Sequence, residues 1–478
     1  MVRAVDFRET TVAELAEQIG SRQVSAREAV EVALDRIDRH DQQVGAFVAV
    51  DGEAALAEAA ALDERLARGE DVGPLAGVPI GVKDLEDAAG FVTTHGSALH
   101  GDDAPATDDS PLVERLRAAG CVVVGKLNTP EHGWKADTVN QLFGATHNPW
   151  SLSRSAGGSS GGSAAAIAAG LVPLATGSDG GGSIRIPSAI CGLSGLKPSL
   201  GRVPAGGDEP PGWPGLSTKG VMARRIRDVA LALDAVVGPE PTDLSSLPLP
   251  DASWTRSLAD LNPPRKVGWS PSLGYAHADP EVLAVCEAAV RRLEDLGTEV
   301  VLIDTVWPED PVRDWLTLTG AFLLRSVGHA YGTSDWGSLD PGLAALLEWV
   351  RSKVTPVDVV SALDACHTHN LALVDLFHEV PLLLTPTVAG QTPRIGEQGT
   401  IDGEQDVNWV QYTYPFNMTR SPAGTVCAGF TADGMPVGLQ AVGPQHGDVV
   451  VLRLLALLED ELALDTVAPF GSDSGSGS

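Results

Sequence analysis

Residues 156–188 read AGGSSGGSAAAIAAGLVPLATGSDGGGSIRIPS, two Gly/Ser clusters bracketing an apolar stretch. Text this rich in glycine and serine usually marks a solvated linker. The chain ends in such a case, GSDSGSGS, with no apolar residue to anchor it. The intervening SAAAIAAGLVPLATG differs: it has the composition of a buried helix running into a buried strand, which a solvated connector has no reason to carry. The second cluster leads into SIRIPSAICGLSGLKP, again with apolar residues that a core could use. Glycines ahead of a helix start let the chain turn sharply and aim N–H groups at an anion. The two clusters therefore read as loops built into a core.

Upstream, residues 1–70 read as a helical N-terminal layer. Thr11 with Glu14 and Ser25 with Glu28 are capping-box pairs, and Val30, Ala33, Leu34 and Ile37 recur at helical spacing. LAGVPIGVKD, after Gly73, reads as a buried strand. Ser110-Pro111 opens a helix that Gly120 closes, and CVVVGK (121–126) is the next strand. The same grammar returns in KVGW (266–269), a helix from Asp279-Pro280 to near Gly297, and TEVVLI (298–303). Strand, helix, strand is the unit of a parallel or mixed α/β sheet. The expected organisation is a core over 71–237, a Pro-rich connection over 238–265, and the remainder of one α/β unit over 266–468. A variable, pocket-forming insertion is expected at about 305–410, and a disordered tail over 469–478.

Composition limits the partners. Of 478 residues, 43% are hydrophobic and 20% charged, and the formal net charge is −30. So acidic a surface repels nucleic acid and anionic membranes, and neither is expected as a partner. Five widely spaced cysteines without a Cys-x-x-Cys pair suit reduced thiols better than a disulfide framework. The N-terminus shows no apolar signal region, no run is long enough to span a membrane, and a cytoplasmic location is expected.

A serine that ends a Gly-Gly turn and opens a helix can offer its hydroxyl beside free N–H donors, a nucleophile with an oxyanion hole. Ser183, in DGGGSIR, is the candidate. It needs a base, yet none of the eleven histidines lies in a recognisable triad context, and Ser183 has no Gly-x-Ser-x-Gly elbow. A lysine neutralised by burial can serve instead. Of seven lysines, Lys83 stands out at the end of an apolar strand, although in isolation such a lysine is more often a structural ion pair with a neighbour such as Asp84.

GVPIGVKD, GKLNTPEHGW, GATHNPWSLSRSAGGSSGGSAAAIAAG, GSDGGGSIRIPSAICGLSGLKPSLGRVP, GVMARRIRDVALALD and DGMPVGLQAVGP occur in this order. The series resembles the successive blocks of the amidase signature family, stand-alone bacterial branch. The resemblance implies a large twisted mixed β-sheet covered by helices on both faces, an α/β fold. It also implies a Ser–cisSer–Lys triad hydrolysing C–N bonds through an acyl-enzyme without metal or organic cofactor. By resemblance Lys83 is the base, Ser159 the bridge and Ser183 the nucleophile. Ser159 is preferred to Ser160 because 183 − 159 = 24 residues is the family's spacing. Ser160 and Ser163 are expected to be helix-capping hydroxyls. The oxyanion would be held by the N–H groups of Gly180, Gly181, Gly182 and Ser183, with Asp179 and Arg185 supporting the loop and Asp84 structural.

The chain also departs from the family's text. Gly180 stands where threonine, alanine or isoleucine is common, which predicts a more pliable loop. Arg420, Gly424 and Cys427 depart within a segment expected to line the acyl pocket, where Cys427 reads as a packing residue. Cys366-His367-x-His369 lacks a fourth metal ligand and falls in a helical pattern. Trp307, Trp315, Trp336, Trp349, Trp409, Tyr412 and Tyr414 cluster in and after the insertion, mostly for packing, with a minority available to line a pocket. The expected substrate is a small aryl or alkyl amide, carbamate or ester, as for an aryl acylamidase or urethanase, and the expected state is monomer or homodimer. Two alternatives stand: the transamidating component of a tRNA-dependent amidotransferase, and a non-catalytic binding protein on the same fold.

Overall fold

The computed structural model describes residues 5–207 and 210–471. From residue 472 the expected Ser/Gly tail lies outside the described residues. Of the part within, Phe470 is buried and packs edge-on to His40.

Eleven strands form one mixed sheet. In chain order they are β1 (Phe47–Val50), β2 (Pro79–Lys83), β3 (Val122–Leu127), β4 (Leu174–Asp179), β5 (Ser194–Lys197) and β6 (Thr218–Ala223), followed by β7 (Lys266–Trp269), β8 (Glu299–Leu302), β9 (Leu383–Pro386), β10 (Ala423–Phe430) and β11 (Pro436–Val442). Across the sheet the order is β1-β3-β2-β4-β6-β5-β10-β11-β9-β7-β8. β2 lies parallel to both β3 and β4, so the carboxyl ends of β2 and β4 emerge side by side. Every residue of β2, β3 and β4 is buried. A strand covered on both faces has no polar alternation, which is why β2 and β3 appear in the sequence as largely apolar runs that end at or near a lysine, while β4 (LATGSD) buries Thr176, Ser178 and Asp179 as well.

Both expected capping boxes form, Thr11 with Glu14 and Ser25 with Glu28, at the starts of α1 (Val12–Gly20) and α2 (Ala26–Val44). The N-terminal layer is not wholly helical: β1 lies between α2 and α3 (Gly52–Ala67) and pairs with the sheet edge at β3. Its FVAV text is only four residues long and is flanked closely by helical periodicity, so no strand pattern can develop around it. The helix Pro111–Ala118 is α4.

The opening segment is core. α5 (Gly161–Ala168) is buried at every residue and is followed by β4. Its glycines permit close approach of backbones, since a Cβ on Gly162 would stand 2.4 Å from the Asn128 N. The second Gly cluster leads into α6 (Arg185–Ile190), likewise fully buried. Further on, α7 spans Ile226–Val236, α8 Trp254–Ser257 and α9 Pro280–Asp295. The region 305–410 contributes three helices, α10 (Val312–Val327), α11 (Pro341–Lys353) and α12 (Pro356–Glu379), and then β9. Among the described residues no helix is long and apolar enough to cross a membrane.

Candidate active site

Lys83, the last residue of β2, is fully buried. Its N–H donates to Thr176 Oγ1 at 2.8 Å, which fixes the strand end against β4. Its Nζ lies 2.7 Å from Ser159 Oγ, 2.9 Å from Ser160 Oγ and 3.0 Å from Ser178 Oγ. Burial disfavours the ammonium, and the nearby Lys219 charge adds to this, so the Lys83 pKa falls from 10.5 to about 7. Three hydroxyls offer only modest compensation, because a hydrogen bond is worth about 1 kcal/mol net. A carboxylate would have held the proton, and the nearest in sequence is engaged elsewhere. Asp84 pairs with Lys126, with Nζ and Oδ1 3.2 Å apart, and also accepts from the Thr94 hydroxyl.

The hydroxyl cluster is assembled from two segments. The Gly158–Ser159 peptide bond is cis, and Ser159 and Ser160 sit immediately before α5. Neither Ser160 nor Ser163 caps that helix, contrary to expectation. Ser160 makes no side-chain cap and faces Lys83, while Ser163 Oγ donates to the Thr176 carbonyl at 2.8 Å. Lys83 and β4 draw both hydroxyls away from the helix end. Ser183 is half-buried, and its carbonyl accepts from the Ser160 N–H at 3.2 Å, which docks the glycine loop on the serine pair.

Asp179 and Arg185 hold that loop. Both are fully buried. Arg185 Nη2 and Nε donate to Asp179 Oδ1 and Oδ2 at 2.8 and 2.9 Å. The remaining guanidinium donors reach Thr413 O at 2.9 Å, Gln440 Oε1 at 2.7 Å and Asn417 Oδ1 at 2.7 Å. Every N–H of the guanidinium is thus spent, which a buried charge requires. Burial by itself would raise the Asp179 pKa, but the Arg185 charge overrides it and keeps the carboxyl well below the usual carboxylate range.

Asp179 also settles which loop amides are free. The Gly182 N–H donates to Asp179 Oδ1 at 2.8 Å. It is therefore occupied by a buried carboxylate, which corrects its expected place in the oxyanion hole. The N–H groups of Gly180, Gly181 and Ser183 have no acceptor among the described residues. Two tryptophans enclose the loop. A Cβ on Gly180 would stand 2.4 Å from Trp213 Cε3, and one on Gly181 2.4 Å from Trp315 Cζ2. The volume that a side chain at Gly180 would take is filled by the Trp213 ring, so a threonine, alanine or isoleucine would not fit there without a shift.

Gly181 and Ser183 open onto a cavity of about 300 Å³ whose walls include Trp134, Trp213, Trp315, Trp409, Tyr414 and Ile186. Of the aromatics singled out in the sequence, Trp315, Trp409 and Tyr414 reach it. Trp307 packs instead on Phe416, and Tyr412 donates to Pro271 O at 2.6 Å. The C-terminal wall comes from 407–414, and none of 420–427 lines the cavity among the described residues. That corrects the expectation for Arg420, Gly424 and Cys427: the last two lie on β10, inside the sheet. Burial pushes the Cys427 thiol up to about 12, so it packs as a neutral group. All five cysteines are free thiols. Cys366 packs in a small apolar cluster, and no group among the described residues could hold a metal ion.

Sequence reasoning passed over Ser178, Asn417, Thr413, Trp134 and Trp213. Ser178 and Trp134 stand within quoted family blocks, but their role depends on which strand ends and loops meet.

The Amidase family profile matches residues 28–325 and 365–452. An acylamidase of Rhodococcus erythropolis is 38% identical over 461 residues, 93% of this chain and 94% of that protein. A putative amidase of Mycobacterium tuberculosis, AmiA2, is 38% identical over 94% of this chain and 92% of that protein. A solved bacterial aryl acylamidase of the amidase signature enzymes superposes with a TM-score of 0.89 at 28% identity, covering 98% of this chain and 99% of that one. With the blocks in order, the mixed sheet and the extent of these matches, the chain belongs to the amidase signature family and is a hydrolase of amide C–N bonds.

Proposed function

We propose that the protein cleaves neutral aryl and alkyl amides, with carbamates and esters as further substrates, through an acyl-enzyme formed on Ser183. The observation that carries this reading is a lysine amine 2.7 Å from Ser159 Oγ, among hydroxyls rather than carboxylates, beside an aromatic cavity onto which Ser183 opens. In its neutral form Lys83 Nζ accepts the Ser159 hydroxyl proton while Ser159 Oγ accepts that of Ser183. The Ser183 oxygen then bonds to the substrate carbonyl carbon, and the C=O electron pair moves onto oxygen. Free loop amides stabilise that oxyanion, each worth about 3 to 4 kcal/mol of barrier. As the C–N bond breaks, the proton returns through Ser159 to the leaving nitrogen, and the amine departs. Water adds to the acyl-enzyme by the same relay, releasing the acid and restoring Ser183.

The apolar, aromatic walls suit flat uncharged groups. The discriminating experiment is a screen of p-nitroacetanilide, simple primary amides and aryl carbamates with the purified chain and its S183A variant. Turnover of anilides that S183A abolishes supports the proposal, and unchanged turnover in S183A defeats it. A second reading, in which the chain works only within a larger complex, draws on its 37% identity to a component of the glutamyl-tRNA(Gln) amidotransferase of Salinispora arenicola, over 97% of this chain and 99% of that protein. Inactivity of the isolated chain on every simple amide would favour that one.

A further inference from the structure

Trp315 lies in α10, far from the glycine loop in sequence, yet its Nε1–H donates to the Gly180 carbonyl at 2.9 Å. Thr413 Oγ1 donates to the next carbonyl, that of Gly181, at 2.6 Å. A trans peptide is planar, with its N–H opposite its C=O. Anchoring the Gly180 carbonyl on the indole therefore turns the Gly181 N–H to the other side of the loop. That N–H has no acceptor among the described residues, and Gly181 lines the cavity together with Ser183. Glycine is flexible, and two adjacent glycine peptides left without side-chain anchors would sample many orientations. The indole is itself fixed: its ring stacks on Tyr414 at 5.3 Å and meets Trp213 edge-on at 6.3 Å. It also fills the position that a Cβ on Gly181 would need.

We propose that Trp315 is a positioning residue for the oxyanion hole, its indole N–H orienting the Gly180–Gly181 peptide so that the Gly181 N–H faces the carbonyl under attack. The inference rests on Ser183 being the nucleophile. It separates two roles for Trp315, since a residue acting only as a pocket wall would change substrate binding, whereas one that aims a transition-state donor changes the chemical step.

The test uses the full chain with three probes: p-nitroacetanilide turnover, inhibition by phenyl trifluoromethyl ketone, which adds to a serine as a tetrahedral oxyanion, and a fluorophosphonate label mapped by peptide mass. W315F keeps an aromatic ring and removes the donor. W315H returns an N–H, because the imidazole and the pyrrole part of indole overlay. For W315F the expected result is a kcat lower by roughly 10- to 100-fold, short of the about 100- to 1,000-fold seen when a donor is deleted outright. KM should stay within about twofold, and affinity for the ketone should fall in step with kcat. W315H should recover part of both. A raised KM with unchanged kcat, or unchanged ketone affinity in W315F, would overturn the proposal. If W315F does not fold, W315H alone decides: ketone affinity and kcat must move together in it, or the proposal fails. Failure to label Ser183 in the unsubstituted chain would overturn the nucleophile assignment and this inference together; labelled Ser183 with an indifferent W315F overturns this inference alone.

Discussion

Lys83 and Asp84 are chain neighbours whose side chains have separate partners. Asp84 pairs with Lys126, 3.2 Å away across β2 and β3, while the Lys83 amine meets three serine hydroxyls. One strand end thereby carries both a neutralised charge pair and an amine free to lose its proton. The first consequence is a pH profile. With the Lys83 pKa near 7, kcat/KM for an anilide should rise through about pH 7 as the ammonium deprotonates, and K83A should abolish that limb. Activated aryl esters, whose leaving groups need less acid assistance, should lose less in K83A than anilides do.

The same displacement carries a stability signature. Unfolded, Lys83 keeps its proton to about 10.5; folded, it releases it at about 7. Between these limits the unfolded chain binds the extra proton, so stability rises with pH across that window. K83M lacks this dependence. Its unfolding free energy relative to the parent should therefore decline by about 1.4 kcal/mol per pH unit over the window, measurable by urea titration at a series of pH values. A pH-independent difference would show that Lys83 stays protonated when folded.

Lys83 reaches three hydroxyls at similar distances, so mutagenesis must separate them. S159A should cost about 1,000-fold or more in anilide kcat, and S183A should abolish burst-phase acylation. S160A and S178A should fall well short of S159A. A larger loss in S160A than in S159A would move the bridging role to Ser160.

The Asp179–Arg185 pair is a structural support with a large individual cost. D179N leaves a fully buried guanidinium facing a neutral amide, and breaking such a pair costs about 3–5 kcal/mol. Its thermal midpoint should drop clearly, and anilide activity should fall, because one of the two oxygens that accept from the loop N–H groups and from Arg185 becomes an NH2 donor. Parent-like melting of D179N would show the pair to be dispensable.

At the loop's other edge, G180A should be destabilising because its new methyl meets the Trp213 ring. W213A should relieve that clash, so the double variant should be more stable than the sum of the singles by about 1 kcal/mol or more. Additive effects in chemical denaturation would show that the loop yields without strain.

Much of the architecture was legible because buried parallel strands and capped helices leave local patterns. Both capping boxes formed, and β2, β3, β7 and β8 fell on the apolar runs that predicted them. β1 escaped because four residues between two helices establish no period. At the site, Lys83, Ser159 and Ser183 could be singled out from composition and resemblance, but their surroundings could not. Gly182 looked like a donor to the substrate because its N–H carries no label in sequence; the Asp179 carboxylate that takes it is visible only once the loop is folded. Ser160 and Ser163 looked like caps because their neighbours are helical, and the pull of Lys83 and the Thr176 carbonyl comes from other strands. Trp213 lies in a Pro/Gly-rich stretch that gives no hint of packing on Gly180.

The bond from α10 to the glycine loop bears on redesign. The helices of 305–410 are the natural target for reshaping the cavity, because they supply walls without supplying the serines or the lysine. Yet one of those walls is tied to the Gly180 carbonyl. Exchanging the insertion to admit a bulkier substrate would therefore also retune turnover, and libraries built there should hold position 315 constant if range is to be widened without loss of rate.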